Sequence, residues 1–181
     1  LDCIVSADDG REYRCAVRGL LKSLSTDQRN VITAGDIVMV RPEANTDAGD
    51  RYEALIVRIE PRYGCISRSS NGQQHVLVSN VDQLIVVASV AEPDIKPNLI
   101  DRFLVTAEKV GCRPIICFNK VDLIDASELQ PLAGVYGQLG YHTLFTSVPN
   151  GDGIDQLQNI IQDKQNVVVG HSGVGKSSLL N

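Results

Sequence analysis

A glycine-rich segment near the end of the sequence has the composition of a phosphate-binding loop. Residues 170–177 read GHSGVGKS and fit the pattern G-x-x-x-x-G-K-[ST]. The apolar run Val167–Val169 precedes this loop, and Ser178–Leu180 follows it as the start of a helix. Glycines let such a loop curve so that its N–H groups point inward at phosphate oxygens. The pattern therefore predicts a phosphate site between a strand and a helix.

Two side chains of this loop have the chemistry that a nucleoside triphosphate needs. The Lys176 ammonium should reach the β- and γ-phosphates, and the Ser177 hydroxyl should bind Mg²⁺. We therefore predict both as catalytic residues, with Ser177 as the metal ligand. The alternative is a glycine-rich turn that binds no ligand. The predicted phosphate-binding residues are Gly170, His171, Ser172, Gly173, Val174, Gly175, Lys176, Ser177 and Ser178.

A second polar segment, Asn119-Lys120-Val121-Asp122, could select the base. It follows the apolar run Ile115–Phe118, and open α/β sheets bind ligands at the carboxyl ends of their strands. The Asp122 carboxylate could accept hydrogen bonds from the N1–H and N2–H₂ groups of guanine, which adenine does not offer. Asn119 could tie this segment to the phosphate loop, and the stem of Lys120 could lie over the ring. The alternative is a polar turn between a strand and a helix.

A third segment, Thr146-Ser147-Val148, follows another apolar strand pattern and could give a backbone N–H to the guanine O6. The order of the three segments is unusual, because the base-reading segment comes first and the phosphate loop last. The predicted base-binding residues are Asn119, Lys120, Val121, Asp122, Ser147 and Val148.

Residues 1–80 have the pattern of a small all-β domain. Their runs are alternating or rich in β-branched residues, and glycines and prolines separate them. Five or six short strands without a helix predict a small closed barrel. The turn signal Asn71-Gly72 separates the last two of these runs. The runs are Arg11–Arg18, Ile37–Val40, Ala54–Ile59, Cys65–Ser67 and His75–Val78.

Residues 81–181 alternate strand and helix patterns instead. This alternation is the signature of an open, parallel α/β sheet. We place the boundary near Ser79–Asp82, which gives domains 1–80 and 81–181. Gly111 and Gly140 should end the first two helices. The predicted strands and helices, in chain order, are Leu84–Ala88, Leu99–Val110, Ile115–Phe118, Leu129–Leu139, Thr143–Ser147, Ile154–Ile161 and Val167–Val169.

Composition excludes a membrane protein, a disulfide scaffold and a disordered tail. The 181 residues carry a net charge of −5 and are 43% hydrophobic, without an apolar run of the ~18 residues that a membrane span needs. The start is not that of a signal peptide. Five cysteines without a C-x-x-C pair indicate a reduced, cytoplasmic setting. The lack of a long apolar run predicts no membrane partner. Nine of the ten basic residues in residues 1–80 are arginines, which suit phosphate contacts, although a solvated surface balanced by acids is the alternative.

These motifs together resemble the circularly permuted GTPases of the ribosome small-subunit-dependent GTPase A family. Residues 170–181, GHSGVGKSSLLN, are similar to that family's phosphate loop, and residues 119–122 look like its base-specificity loop. Residues 81–84 and 98–102 resemble its first strand and helix. Val148 departs from the family, because alanine is usual at that position.

The resemblance implies an N-terminal OB-fold-like RNA-binding domain, followed by a circularly permuted Ras-like P-loop domain. A Ras-like sheet has the strand order 2-3-1-4-5-6, and the strands here would be 4, 5, 6 and then 1. Val167–Val169 should therefore pair beside Leu84–Ala88. The sequence stops four residues after Ser177. The resemblance implies that switch segments needed for turnover, and then a C-terminal Zn²⁺-binding domain, follow residue 181.

The resemblance also implies a function. The protein would be a monomeric cytoplasmic switch that binds GTP, GDP and Mg²⁺ and hydrolyses GTP. It would act in late maturation of the small ribosomal subunit and contact rRNA through the OB-like domain. Two alternatives stay open: a nucleic-acid-binding module with a vestigial nucleotide site, and an ATP-using P-loop enzyme. A flat titration with GTP or GDP would favour the first, and equal competition by ATP the second.

Overall fold

The chain divides into two units where the sequence pattern changes. Unit 1 comprises Leu1–Asn80 and unit 2 comprises Val81–Asn181. The computed structural model of the protein describes residues 3–17, 31–42, 53–70 and 73–181.

Every regular element in the described residues of unit 1 is a strand. The strands are β1 (Cys3–Ser6), β2 (Glu12–Val17), β3 (Val38–Pro42), β4 (Ala54–Ile59), β5 (Ile66–Ser70) and β6 (Gln73–Val78). The first four form a sheet of order β1-β2-β4-β3, whose β2–β4 pair is parallel and whose other pairs are antiparallel. Strands β5 and β6 form an antiparallel pair, and Ala34 makes a parallel bridge to Val78.

Apolar and polar side chains alternate along β2, so one face of the strand points into the core of unit 1. Cys15 is fully buried and Val17 nearly so, whereas Glu12 and Arg14 are exposed, as the period of two predicts. Strand β4 has the predicted bounds, and the other predicted runs appear within a few residues of theirs. Strand β1 was not predicted, because four residues give too short a pattern. The predicted turn Asn71-Gly72 lies outside the described residues.

A buried ion pair ties two loops of unit 1 together. The Arg62 guanidinium donates from Nε and Nη2 to the Asp36 carboxylate, each at 2.7 Å. Asp36 also accepts from the Ser79 hydroxyl at 2.6 Å and from the Thr33 N–H at 2.9 Å. Burial by itself raises the pKa of Asp36, but these hydrogen bonds outweigh it and hold the pKa below its ordinary value. The carboxylate is therefore fully paired in its charged form.

Unit 2 alternates strands and helices in the predicted order. The strands are β7 (Gln83–Ser89), β8 (Arg113–Asn119), β9 (His142–Thr146) and β10 (Asn166–Val169). The helices are α1 (Pro97–Val110), α2 (Ala126–Gln138), α3 (Ile154–Ile161) and α4 (Lys176–Leu180). Each element lies at or near its predicted position, and α3 has the predicted bounds.

The last strand of unit 2 pairs with its first strand. The sheet order is β10-β7-β8-β9, and all three pairs are parallel. Val167 lies beside Leu84 and Val169 beside Val86, which confirms the predicted pairing. Two main-chain groups reinforce it, because Asp82 N–H donates to the Gln165 carbonyl at 2.9 Å while Gln165 N–H donates to the Asp82 carboxylate at 2.8 Å. The carboxyl ends of β10 and β8 therefore lie on one edge of the sheet, with only β7 between them.

The core of unit 2 surrounds β7, which is buried at every position. A continuous apolar strand of this kind is expected when both faces of a parallel sheet are covered. Helix α2 is pinned to α1 because the Tyr136 hydroxyl donates to the Asp101 carboxylate at 2.9 Å. The buried face of α2 contains fewer residues than the sequence pattern suggests, since Val135 and Leu139 are 53% and 66% exposed. None of the described helices combines the length and apolar character needed to cross a membrane.

Candidate nucleotide-binding site

Asn119 links the base-reading segment to the phosphate loop. It is the last residue of β8 and is 2% exposed. Its side-chain N–H donates to the Val174 carbonyl in the phosphate loop at 2.9 Å. Its side-chain oxygen accepts from the Thr146 hydroxyl at 3.0 Å, and its main-chain carbonyl accepts from the Val90 N–H at 3.0 Å. The structure thus brings the two predicted segments, remote in sequence, to one edge of the sheet.

A buried thiol contacts the Thr146 hydroxyl that is hydrogen-bonded to Asn119. The Cys117 sulfur lies 3.2 Å from the Thr146 hydroxyl oxygen. The single proton of that hydroxyl goes to Asn119, so the thiol is the donor in this contact. Burial raises the pKa of Cys117 to about 11. The thiol therefore stays protonated at neutral pH and can hold the hydroxyl in place.

The phosphate loop is shaped by two glycines whose neighbours leave no room for a side chain. A Cβ on Gly175 would lie 2.3 Å from the side-chain nitrogen of Asn119, and its φ of +95° is in the region that favours glycine. A Cβ on Gly170 would lie 2.2 Å from the Val87 carbonyl oxygen. Val174, between them in sequence, is 3% exposed and anchors the loop in the core of unit 2.

Lys176 lies within the curve of the phosphate loop. Its ammonium donates to the carbonyls of Gly170 at 2.9 Å and His171 at 2.7 Å. Helix α4 begins at Lys176, and Ser177 and Ser178 on its first turn are exposed. The exposed residues of the loop itself are His171, Ser172 and Gly173. A cation surrounded by main-chain groups is an arrangement that suits phosphate oxygens.

The base-reading segment turns sharply after β8. Lys120 has a φ of +66°, and Val121–Leu123 form a short 3₁₀ turn that carries Asp122. The Ser147 hydroxyl donates to the Asp122 carboxylate at 2.5 Å. Each carboxylate oxygen has two lone pairs, so this contact orients Asp122 and leaves acceptor capacity for a base.

The third segment differs from the prediction in one respect. The N–H of Ser147 donates to the Asp152 carbonyl at 3.0 Å and is therefore already used. Ser147 is fully buried, and its side chain holds Asp122. Its role in this arrangement is orientation of the carboxylate, and Val148, 39% exposed, is the next residue along this edge.

Sequence reasoning missed the loop between β7 and α1, Val90–Lys96. Its Glu92 carbonyl accepts a hydrogen bond from the Lys120 ammonium. A Cβ on Gly173 would lie 3.7 Å from the Pro93 side chain. This loop thus lies against both the base-reading segment and the phosphate loop. In the sequence, only Pro93 distinguishes it, and a proline indicates a loop without indicating what the loop contacts.

A metal site made of protein side chains alone is not among the described features. The described residues contain no group of three or more His, Cys, Asp or Glu side chains that could hold a metal ion. A single hydroxyl such as that of Ser177 fits a different kind of site, because Mg²⁺ commonly takes one protein ligand together with phosphate oxygens and waters.

Comparison with known proteins assigns the chain to a family. The family model described as RsgA GTPase matches residues 59–181, which include residues 119–122 and 170–177. The small ribosomal subunit biogenesis GTPase RsgA of Cytophaga hutchinsonii is 37% identical, over 98% of this chain and 59% of that protein. Its counterpart from Pseudomonas fluorescens is 42% identical, over 95% of this chain and 47% of that protein.

Two solved structures share the fold of the chain. YjeQ from Thermotoga maritima is 31% identical, with a TM-score of 0.79 over 99% of this chain and 60% of that one. YloQ, described as a circularly permuted GTPase, is 32% identical, with a TM-score of 0.68 over 99% of this chain and 58% of that one. The chain spans between about half and three fifths of the length of these relatives. With a family match over most of the chain and a permuted strand order in unit 2, the chain belongs to the RsgA GTPase family.

Proposed function

We propose that the protein containing this chain binds and hydrolyses GTP and acts as a switch in maturation of the small ribosomal subunit. The observation that carries this proposal is the 2.9 Å hydrogen bond from Asn119 to the Val174 carbonyl. It fixes the base-reading segment and the phosphate loop side by side, as one bound nucleotide requires. The relatives named small ribosomal subunit biogenesis GTPase RsgA support the biological role.

Guanine is selected by Asp122. Its carboxylate, oriented by the Ser147 hydroxyl at 2.5 Å, accepts from N1–H and N2–H₂ of guanine. Adenine offers no matching donors to the Asp122 carboxylate and so binds poorly. The stem of Lys120, whose ammonium is held by the Glu92 carbonyl, lies over the ring, and the Val148 N–H donates to O6.

The triphosphate lies along the phosphate loop. The phosphate loop fits a triphosphate for two reasons. Its tight curve requires glycine at positions 170 and 175, where a Cβ would collide with neighbouring atoms. The Lys176 ammonium already lies within the curve, bonded to main-chain carbonyls. Lys176 moves onto the β- and γ-phosphates and stabilises the charge that develops there. The exposed Ser177 hydroxyl would hold Mg²⁺, which would neutralise phosphate charge. The switch segments that complete hydrolysis are part of this proposal through the family resemblance.

Unit 1 is the RNA-binding part of this proposal. Its strands, with a parallel β2–β4 pair in an otherwise antiparallel sheet, support an OB-fold-like barrel. Arginines on its strands, such as Arg14, Arg41 and Arg68, are exposed and suited to phosphate contacts. A monomeric state, a cytoplasmic location and a Zn²⁺-binding domain after residue 181 stay part of the proposal through the family resemblance.

Cosedimentation and turnover with small ribosomal subunits test the proposal. The full-length protein should sediment with purified subunits when loaded with a non-hydrolysable GTP analogue, and about tenfold less with GDP, a difference of about 1.4 kcal/mol. Subunits should also raise GTP hydrolysis, and ATP should neither compete nor be hydrolysed. Absence of guanine-nucleotide binding would favour the vestigial-site alternative, and equal competition by ATP would favour a general P-loop enzyme.

A further inference from the structure

An open groove of about 450 Å³ lies at the start of α1, next to the phosphate loop. His171 of the phosphate loop forms one side of it, and the other lining residues belong to α1 or directly precede it. We refer to it as the α1 groove. Its lining residues are Lys96, Pro97, Asn98, Leu99, Arg102 and His171.

The charge of the α1 groove is opposite to that of the unit around it. Lys96 and Arg102 are both exposed, and no carboxylate lines the groove. The first turn of α1 contains no acidic residue. The neighbour of Arg102, Asp101, accepts from the Tyr136 hydroxyl of α2. Residues 81–181 have a net charge of −4, so a groove with basic side chains alone is a local exception.

Two exposed arginines of unit 1 have acidic neighbours. In unit 1, Arg58 pairs with Glu60, and Arg11 lies 3.8 Å from Asp9. Within the described residues, by contrast, the side chains of Lys96 and Arg102 take part in no ion pair of this kind. Two unneutralised cations in one groove attract an anionic partner from solution.

The side chains of the groove match a nucleic-acid backbone. The Arg102 guanidinium can bind a phosphate through two parallel hydrogen bonds, and Lys96 supplies a point charge. Asn98 and His171 add further hydrogen-bond donors, while Leu99 and Pro97 offer apolar contacts for sugar rings. Lys96 directly precedes α1, and Arg102 lies in its second turn. Two cations in one groove can each contact a phosphate of the same strand.

We propose that the α1 groove binds the phosphate backbone of RNA through Lys96, Arg102 and His171. The inference rests on the proposed function, because the RNA is taken to be that of the small ribosomal subunit. The α1 groove would be a second RNA contact besides that proposed for unit 1, and it lies on unit 2, which carries the nucleotide site. His171 faces the groove while its carbonyl accepts from the Lys176 ammonium at 2.7 Å. RNA in the groove therefore lies directly beside the phosphate loop.

The test compares two double variants of the full-length protein that lose the same charge. K96A/R102A changes the groove, whereas K109A/R113A removes two exposed cations around the opposite end of α1. Each protein is loaded with a non-hydrolysable GTP analogue and titrated with small subunits and with transcribed small-subunit rRNA over a series of salt concentrations. Fluorescent GDP measures nucleotide affinity in parallel and reports on folding. R102K, which keeps the charge, is the conservative variant.

We expect K96A/R102A to bind subunits and rRNA about tenfold more weakly, with a log K against log salt slope reduced by about 1 to 2. K109A/R113A should stay within about twofold of wild type, and R102K, which keeps the charge but loses the paired hydrogen bonds, should bind more tightly than K96A/R102A. GDP affinity should be unchanged in all variants, because none of these residues belongs to the nucleotide site. Equal behaviour of the two double variants would overturn the proposal.

Two further outcomes separate the possible failures. If K96A/R102A weakens subunit binding but leaves the rRNA titration unchanged, the groove serves an acidic protein segment, and the RNA proposal is wrong. If the wild-type protein binds free rRNA in a groove-dependent way but binds no subunits, the groove stands and the proposed function fails.

Discussion

The side chain of Asn119 donates a hydrogen bond to the main-chain carbonyl of Val174, 2.9 Å away and 55 residues later in the chain. The side-chain oxygen of Asn119 accepts a hydrogen bond from the Thr146 hydroxyl, and its main-chain carbonyl accepts one from the Val90 N–H. These bonds fix the side chain of Asn119 in one orientation. The position of the phosphate loop is therefore set by the residue that begins the base-reading segment. This relationship is the basis of the predictions below.

Replacement of Gly175 should separate the two segments. In Gly175→Ala the new Cβ would meet the Asn119 side chain at 2.3 Å and adopt a φ of +95°, so we expect a loss of about 1–3 kcal/mol in the free energy of unfolding. Affinity for GDP should fall at least about tenfold, since 1.4 kcal/mol is a factor of ten. Chemical denaturation and fluorescent-nucleotide titration measure the two effects.

Gly134→Ala is the matched control for that change. Gly134 lies within α2, and nothing lies within 4 Å of its Cβ position. Alanine there should raise the free energy of unfolding by about 0.5–1 kcal/mol and leave GDP affinity unchanged. The account of the loop would be wrong if Gly175→Ala behaved like Gly134→Ala.

Thr146 should act on nucleotide affinity through Asn119. Thr146→Val keeps the shape of the side chain but removes the donor to Asn119 and leaves buried groups of Asn119 and Cys117 unmatched. We expect a loss of about 1–3 kcal/mol in stability and a several-fold weaker affinity for GDP. Thr146→Ser, which retains the hydroxyl, should restore most of the affinity. If Thr146→Val and Thr146→Ser had equal affinities for GDP, the hydrogen bond from Thr146 to Asn119 would have no role in nucleotide binding.

The buried ion pair of unit 1 should matter far more than an exposed one. The Asp36 side chain is 2% exposed and that of Arg62 16%, so Asp36→Ala removes the charge partner of a largely buried guanidinium and should cost about 3–5 kcal/mol. Glu60→Ala, which breaks the exposed pair with Arg58, should cost less than about 1 kcal/mol. Because the pKa of Asp36 is lowered in the folded state, its contribution is present above pH 4 and is lost as the pH falls. Urea denaturation at neutral and acidic pH compares both variants.

Alkaline pH should weaken unit 2 through Cys117. Burial raises the pKa of its thiol from 9.0 to about 11, so the folded state favours the protonated form. The resulting stability is fully present below pH 9 and is lost as the pH rises towards 11, by about 3 kcal/mol at most. Cys117→Ala should show less of this loss in denaturation curves recorded at pH 8 and pH 10. An identical pH dependence in the variant would contradict the assignment.

Repeating patterns made most of unit 2 predictable. The helix Ile154–Ile161 and the end of α1 at Gly111 follow from periodicity and a glycine stop signal, and the pairing of β10 with β7 follows from the permuted order. Such features depend on a few neighbouring residues and leave a signal in the sequence. The same holds for Asn119 and Asp122, whose spacing reflects a short loop at the end of a strand.

Contacts between distant segments were not predictable in the same way. Nothing local to Glu92 indicates that its carbonyl meets the Lys120 ammonium, and nothing near Asp36 points to Arg62. Ser147 was expected at the base, yet its N–H and hydroxyl are used by Asp152 and Asp122. These contacts arise from packing of the complete chain, which the spacing of residues in one segment does not encode.

The most direct measurement of the central claim is a titration of the full-length protein and its Asp122→Asn variant with GDP and with xanthosine diphosphate. If Asp122 reads the base above the phosphate loop, wild type should bind GDP at least about a hundredfold more tightly than the xanthine nucleotide, and the variant should reverse that preference. Both should retain the same folding transition, because Asp122 is on an external turn. An unchanged preference for guanine in the variant, or wild-type binding of neither nucleotide, would contradict the account.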